Sequence, residues 1–125
     1  QAWREAVDMF REMVQERVVP DVMACNAAIG ACERANQWRW AVLLLECMPR
    51  LGVAPDVATY RKVITACEAG RQWLWSLLLL ADLQDRGFVA DAMTYTSVIR
   101  ACADGRQQER AALLQQELAL RAMNF

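Results

Sequence analysis

Residues 22–56, VMACNAAIGACERANQWRWAVLLLECMPRLGVAPD, align without a gap on residues 57–91, VATYRKVITACEAGRQWLWSLLLLADLQDRGFVAD, and 13 of the 35 positions agree. Chance at average residue frequencies gives about two or three. The shared residues include Ile29 with Ile64, Ala31 with Ala66, Cys32 with Cys67, Gln37 with Gln72, Trp38 with Trp73, Trp40 with Trp75, Gly52 with Gly87 and Asp56 with Asp91. Residues 92–125 match the second block at 13 of 34 positions, among them Thr94, Tyr95, Ile99, Cys102 and Gln107. Residues 1–21 align as the back part of an earlier unit, with Trp3 in register with Trp38. A fixed period of this length marks a repeat array in which each unit packs on its neighbours.

Each unit reads as two helices. The first runs from about Val22 to Glu33, with counterparts at 57–68 and 92–103. Asp21, Asp56 and Asp91 stand immediately before these helices, where a carboxylate can accept from the orphan N–H groups of a first turn. Turns follow at Ala35-Asn36, Ala69-Gly70 and Asp104-Gly105. The second helices cover about 37–50, 72–86 and 107–121, and Gly52 and Gly87 suit the left-handed stop beyond two of them. Pro20 and Pro55 then prevent continuation. Residues 2 to about 17 form a second helix without its first, which predicts seven helices and apolar surface exposed at Trp3, Phe10 or Met13. Pro49, late in its helix, predicts a kink or an early end.

Spacing separates the faces. Ala41-Leu44-Leu45-Met48 recurs as Ala6-Met9-Phe10-Met13, Ser76-Leu79-Leu80-Leu83 and Ala111-Leu114-Gln115-Leu118, a one-sided stripe that predicts core packing. In the first helices Val22, Cys25, Ile29 and Cys32 and their counterparts from Val57 and Ala92 onward form one buried stripe, and Ala28 and Ala31 with theirs form a second. What remains is a strip of Met23, Asn26, Gly30 and Glu33, repeated as Ala58, Arg61, Thr65, Glu68 and as Met93, Thr96, Arg100, Ala103. Stacked units would align these strips into one surface, either a solvated face or a concave binding face.

Composition sets limits on function. The chain is 56% hydrophobic and 23% charged, with a net charge of -1, as for a folded unit and not a disordered segment. Its pI of about 5.4 gives no bulk attraction for nucleic acid, so such a role needs a local face. The five cysteines include no CxxC pair and the chain has no histidine, so the usual zinc ligand sets are missing and no metal or cofactor is expected. An odd count points to reduced thiols, with Cys32, Cys67 and Cys102 buried as small apolar residues. Without histidine no nucleophile–base pair can be assembled, so no enzyme is expected. The longest apolar stretch, Trp73 to Ala81 broken by Ser76, is short of the roughly 20 residues a membrane span needs. No targeting segment is visible, and the chain reads as cut from a longer array.

The run VAPDVATY at 53–60, with Ile64 and Ser76–Leu80, resembles the pentatricopeptide repeat family, as does AVDMFREMVQERVVPDVMACNAAI at 6–29. The resemblance covers the whole chain: a partial repeat at 1–21 and repeats at 22–56, 57–91 and 92–125. It implies an all-α, right-handed superhelix of helical hairpins, about three and a half repeats here, that binds single-stranded RNA one nucleotide per repeat. It also implies work in a chloroplast or mitochondrion, in RNA processing, stability, editing or translation. A splayed base can be read on its pairing edge by two or three side chains. By resemblance the readers are Asn26 with Asp56 and Arg61 with Asp91, while Thr96 has no partner within the chain. Met23, Ala58 and Met93 would clamp bases, and Arg34 would meet phosphate.

Asn26 with Asp56 implies uridine over cytidine, with purines disfavoured. Asn26 is expected to have no core duty, so its replacement should leave melting nearly unchanged. Arg61 is not a usual reader: it could donate to guanine or simply contact phosphate, and the family pattern gives no assignment. Glu33 and Glu68 add negative charge that opposes phosphate binding, and Ala90 replaces the junction proline. The rival reading is a helical-repeat scaffold for protein partners, favoured by the acidic pI and the two strip glutamates.

Overall fold

The computed structural model describes residues 1–123. Among them it contains seven helices: α1 (Ala2–Gln15), α2 (Val22–Arg34), α3 (Trp38–Arg50), α4 (Val57–Ala69), α5 (Trp73–Asp85), α6 (Ala92–Asp104) and α7 (Gln108–Met123). The last two positions of the third repeat lie outside the described residues. Among the described residues no helix is long and apolar enough to cross a membrane.

The helices start where the capping aspartates put them. Asp21, Asp56 and Asp91 are extended, and their side chains accept from the N–H groups of Ala24, Thr59 and Thr94 at 2.7, 2.9 and 2.8 Å. The stops are equally periodic. Gly52 and Gly87 adopt φ of 81° and 87°, and Arg17, in register with both, takes φ of 60° against the usual preference of a side chain. Inside each hairpin the left-handed residue is Asn36, Arg71 or Arg106, one place beyond Gly70 and Gly105.

Those two glycines serve packing instead. A Cβ on Gly70 would sit 2.3 Å from Trp38 Cδ1, and one on Gly105 would sit 2.3 Å from Trp73 Cδ1. Each tryptophan therefore lies against the end of the first helix of the following repeat, and only a bare backbone leaves it room. Ala35 occupies the matching place opposite Trp3, whose ring instead meets Trp40 at 6.4 Å between centroids.

The layers are unequal. α2 packs on α4 and α4 on α6, whereas no Cα of α3 comes within 8 Å of α5, nor of α5 within 8 Å of α7, among the described residues. First helices are thus more closely spaced than second helices, and the array curves with α2, α4 and α6 on its inner side. The core between the layers holds most of both expected stripes of the first helices: Cys25, Ile29, Cys32, Tyr60, Ile64, Cys67, Tyr95 and Cys102 on one, Ala28, Ala31, Val63, Ala66, Val98 and Ala101 on the other. Val22, Val57 and Ile99 are half-buried at its margin, and Ala92, in the first turn of α6, is exposed.

Three expectations need correction. Pro49 neither shortens nor breaks its helix: α3 ends at Arg50, the counterpart of Asp85 at the end of α5. Pro49 lies in the last turn, where its missing N–H removes only one bond, and the cap is closed by Leu51 and Gly52. Phe10 is buried rather than exposed, because α1 lays it against α2; Trp3 and Met13 are half-buried, and Met9 and Val14 are the large apolar residues of α1 left open, at 64% and 41% exposure. Gly30 is buried although it belongs to the inner strip, for a reason given below.

Candidate nucleic-acid interface

Close packing of α2 on α4 brings the fifth residue of one helix beside the residue that caps the next. Asn26 Nδ2 donates to Asp56 Oδ1 at 3.1 Å. Thr59, fully buried beneath them, completes the group. Its hydroxyl accepts from the Asp56 N–H at 3.1 Å, lies 2.8 Å from Asp56 Oδ1, and meets Asn26 Oδ1. A carboxylate only accepts, so the amide must turn its NH₂ toward Asp56 and its oxygen toward the hydroxyl. One N–H and one oxygen lone pair of Asn26 stay unused by these bonds.

Asn26 therefore does have a structural duty, contrary to expectation: it is half-buried and tied to two partners. Asp56 is likewise both cap and partner. Partial burial pushes its carboxyl up, but the hydrogen bonds from Thr59 and Asn26 outweigh this and hold it below the usual carboxylate range.

The next repeat repeats the geometry with different chemistry. Arg61 Nη1 meets Asp91 Oδ2 at 3.4 Å, with side chains 44% and 46% exposed. Such an open pair adds little stability and leaves most of the guanidinium's five donors unused. The Asp91 carboxyl is held low first by the Thr94 N–H and hydroxyl and then by Arg61. Thr96 occupies the third position, half-buried, and turns its hydroxyl back onto the Ala92 carbonyl at 2.7 Å.

Met23 and Met93 stand 77% and 69% exposed on the same strip, and Ala58 is half-buried between them. Arg34 is exposed at the far end of α2, and Glu33 and Glu68 are half-buried nearby. Two residues escaped the sequence reading. Thr59 was signalled by recurrence as Thr94, three places after a capping aspartate, where a capping box belongs. Lys62, the only lysine in the chain, crosses from α4 to donate to the Asn26 carbonyl at 3.2 Å. Its counterparts Ala27 and Ser97 gave no hint of that role.

The class is thus a solenoid of helical hairpins whose inner helices pair a side chain of one repeat with the capping residue of the next. Family models agree. One described as PPR repeat family matches residues 20–68, a pentatricopeptide repeat domain model matches 78–119, and a PPR repeat model matches 2–18. No match was found among curated proteins. The chain belongs to the pentatricopeptide repeat family, a family of helical repeats generally tied to RNA binding.

Proposed function

We propose that this chain is a sequence-selective segment of a single-stranded RNA-binding solenoid, acting in organellar RNA processing, stability or translation. The observation that carries the reading is the Asn26–Asp56 pair. Its geometry fixes the orientation of the carboxamide before any ligand arrives, leaving one donor and one acceptor for a pyrimidine edge. Preorganisation of this kind reduces the ordering cost of binding. The exposed Met23 supplies apolar area beside the amide for the face of the base. Arg61 with Asp91 offers a donor-rich group at the next position, and Thr96 stands at the equivalent place of the third repeat.

The test is a titration with short oligouridine followed by 15N–1H spectra. The Asn26 side-chain amide and backbone amides of α2 and α4 should move, with the outer helices α3 and α5 unaffected. Movement confined to the outer helices, or none at low salt, contradicts the reading.

A protein scaffold is the second reading, and one observation favours it. Leu43, Leu78 and Leu113 recur at equivalent positions of the outer helices and are 46%, 53% and 62% exposed. Partners retained from an organellar extract after nuclease treatment, and lost when these leucines are replaced by serine, would support it.

A further inference from the structure

Gly30 has no side chain and lies on the inner strip, yet it is buried. What covers it is charge. A Cβ built on Gly30 would lie 3.4 Å from an Arg34 guanidinium nitrogen and 3.5 Å from Lys62 Nζ. The two cationic heads thus converge on one point, one arriving along α2 and the other across from α4.

Neither head is neutralised. The two ion pairs among the described residues are Arg61–Asp91 and Arg86–Asp82. Lys62 commits one donor to the Asn26 carbonyl and retains two, and the Arg34 side chain makes no hydrogen bond among the described residues. Like charges brought together repel, and an oxyanion bound between them reverses the sign of that interaction. The arrangement is particular to this junction. The counterparts of Gly30, Lys62 and Arg34 one repeat on are Thr65, Ser97 and Ala69, which carry no charge.

We propose that Lys62 and Arg34 form an oxyanion site over Gly30 that takes a phosphodiester of RNA lying along the inner strip. The resemblance implied phosphate contact for Arg34 alone; Lys62 and the bare floor at Gly30 are new. The site adjoins the base-reading pair, because the residue that anchors Lys62 is Asn26 itself. A bound nucleotide would present its base to Asn26 and Asp56 and a phosphate to the two cations. The negative charge of Glu33 and Glu68 is offset locally, which explains how an acidic chain can hold a polyanion at one place.

The RNA half of the proposal rests on the function proposed above; the anion half does not, so the experiment has two arms. In the first, inorganic phosphate is titrated into the protein at constant ionic strength. The Gly30 and Lys62 amides should move saturably, and Lys62→Gln should abolish the movement while melting as the wild type does. In the second, oligouridine affinity is measured against salt. Lys62→Gln and Arg34→Gln should each lower the slope of log K on log salt by about 0.7, weakening every sequence alike, and Lys62→Arg should restore it.

Phosphate leaving Gly30 and Lys62 unmoved overturns the site. So does an unchanged salt slope in both glutamine variants. Phosphate binding without RNA binding overturns the RNA assignment and leaves an anion site standing. RNA that moves Asn26 but is indifferent to Lys62 sinks the site and leaves the base-reading account intact.

Discussion

Asn26 and Asp56 are separated by 30 residues of chain, yet the amide of one donates to the carboxylate of the other at 3.1 Å. The same oxygen, Asp56 Oδ1, accepts from the Thr59 N–H at 2.9 Å and so caps α4. A single atom joins the start of one helix to the inner surface of the one before it. Fold and proposed recognition are therefore coupled at this residue, and the two roles separate by substitution.

Asp56→Asn keeps a capping oxygen, since asparagine caps about as well as aspartate. It should melt within a few degrees of the wild type. Asp56→Ala removes the cap, at about 1 kcal/mol, and also leaves the Asn26 NH₂ without its carboxylate partner, adding about 0.5–1.5 kcal/mol. Equal melting of the two variants in urea would show that the Oδ1 junction does not support α4.

Gly70→Ala and Gly105→Ala should each destabilise by about 1–3 kcal/mol, because the new methyl enters the space of Trp38 or Trp73. Combining Gly70→Ala with Trp38→Ala should cost less than the sum of the two, since the clash disappears. Strict additivity in a double-mutant cycle would refute the contact.

Arg17 holds a left-handed φ of 60° where Gly52 and Gly87 stand in the later repeats. Relieving that conformation is worth about 1 kcal/mol. Arg17→Gly should accordingly raise the melting temperature, and Gly52→Ala should lower it by a similar amount. A destabilised Arg17→Gly variant would mean that the arginine side chain contributes more than its backbone costs.

Much of this fold was legible because its signals are local and repeated. Capping aspartates, Gly52 and Gly87 and the spacing of Cys25, Ile29 and Cys32 each report on a few neighbouring residues, and the period repeats the report. What stayed hidden is contact between residues far apart in the chain. Trp38 and Gly70 recur in sequence, but nothing in either says that they touch. The Asn26–Asp56 pair came from family resemblance, and the link through Thr59 needed coordinates. Lys62 was invisible because its significance lies in a glycine on another helix, which its head group helps to cover. Pro49 misled for a local reason: a proline one residue from the end removes a single bond, and the cap beyond it still closes.

Acid and alkali should act on different groups. The Asp56 and Asp91 carboxyls titrate lower in the folded chain than in the unfolded one. Their contribution is present above the unfolded carboxylate range and is lost as pH falls through the depressed values. Burial raises Cys32 to about 11 and Cys67 to about 12, so folding favours their thiols, and that contribution fades as pH rises from the ordinary thiol range toward those values. Melting should be steepest in its pH dependence at these two edges. Labelling of native protein near neutrality should reach the half-buried Cys47 well before the fully buried Cys32, Cys67 and Cys102. Rapid modification of Cys67 in folded protein would contradict its placement.

The central claim is that Asn26, held by Asp56, reads a base. The direct measurement compares wild type and Asn26→Thr for binding to single-stranded RNAs that differ at one nucleotide, each protein checked by melting. The variant loses one tertiary hydrogen-bonded group, so a cost of about 0.5–1.5 kcal/mol in stability is expected. Wild type should prefer uridine over cytidine at one position of the RNA, the full contact being worth about 1–3 kcal/mol. Asn26→Thr should lose that preference while binding the remaining sequence through the same strip. The same preference in both folded proteins would show that Asn26 serves packing alone, and the account of base reading would fall.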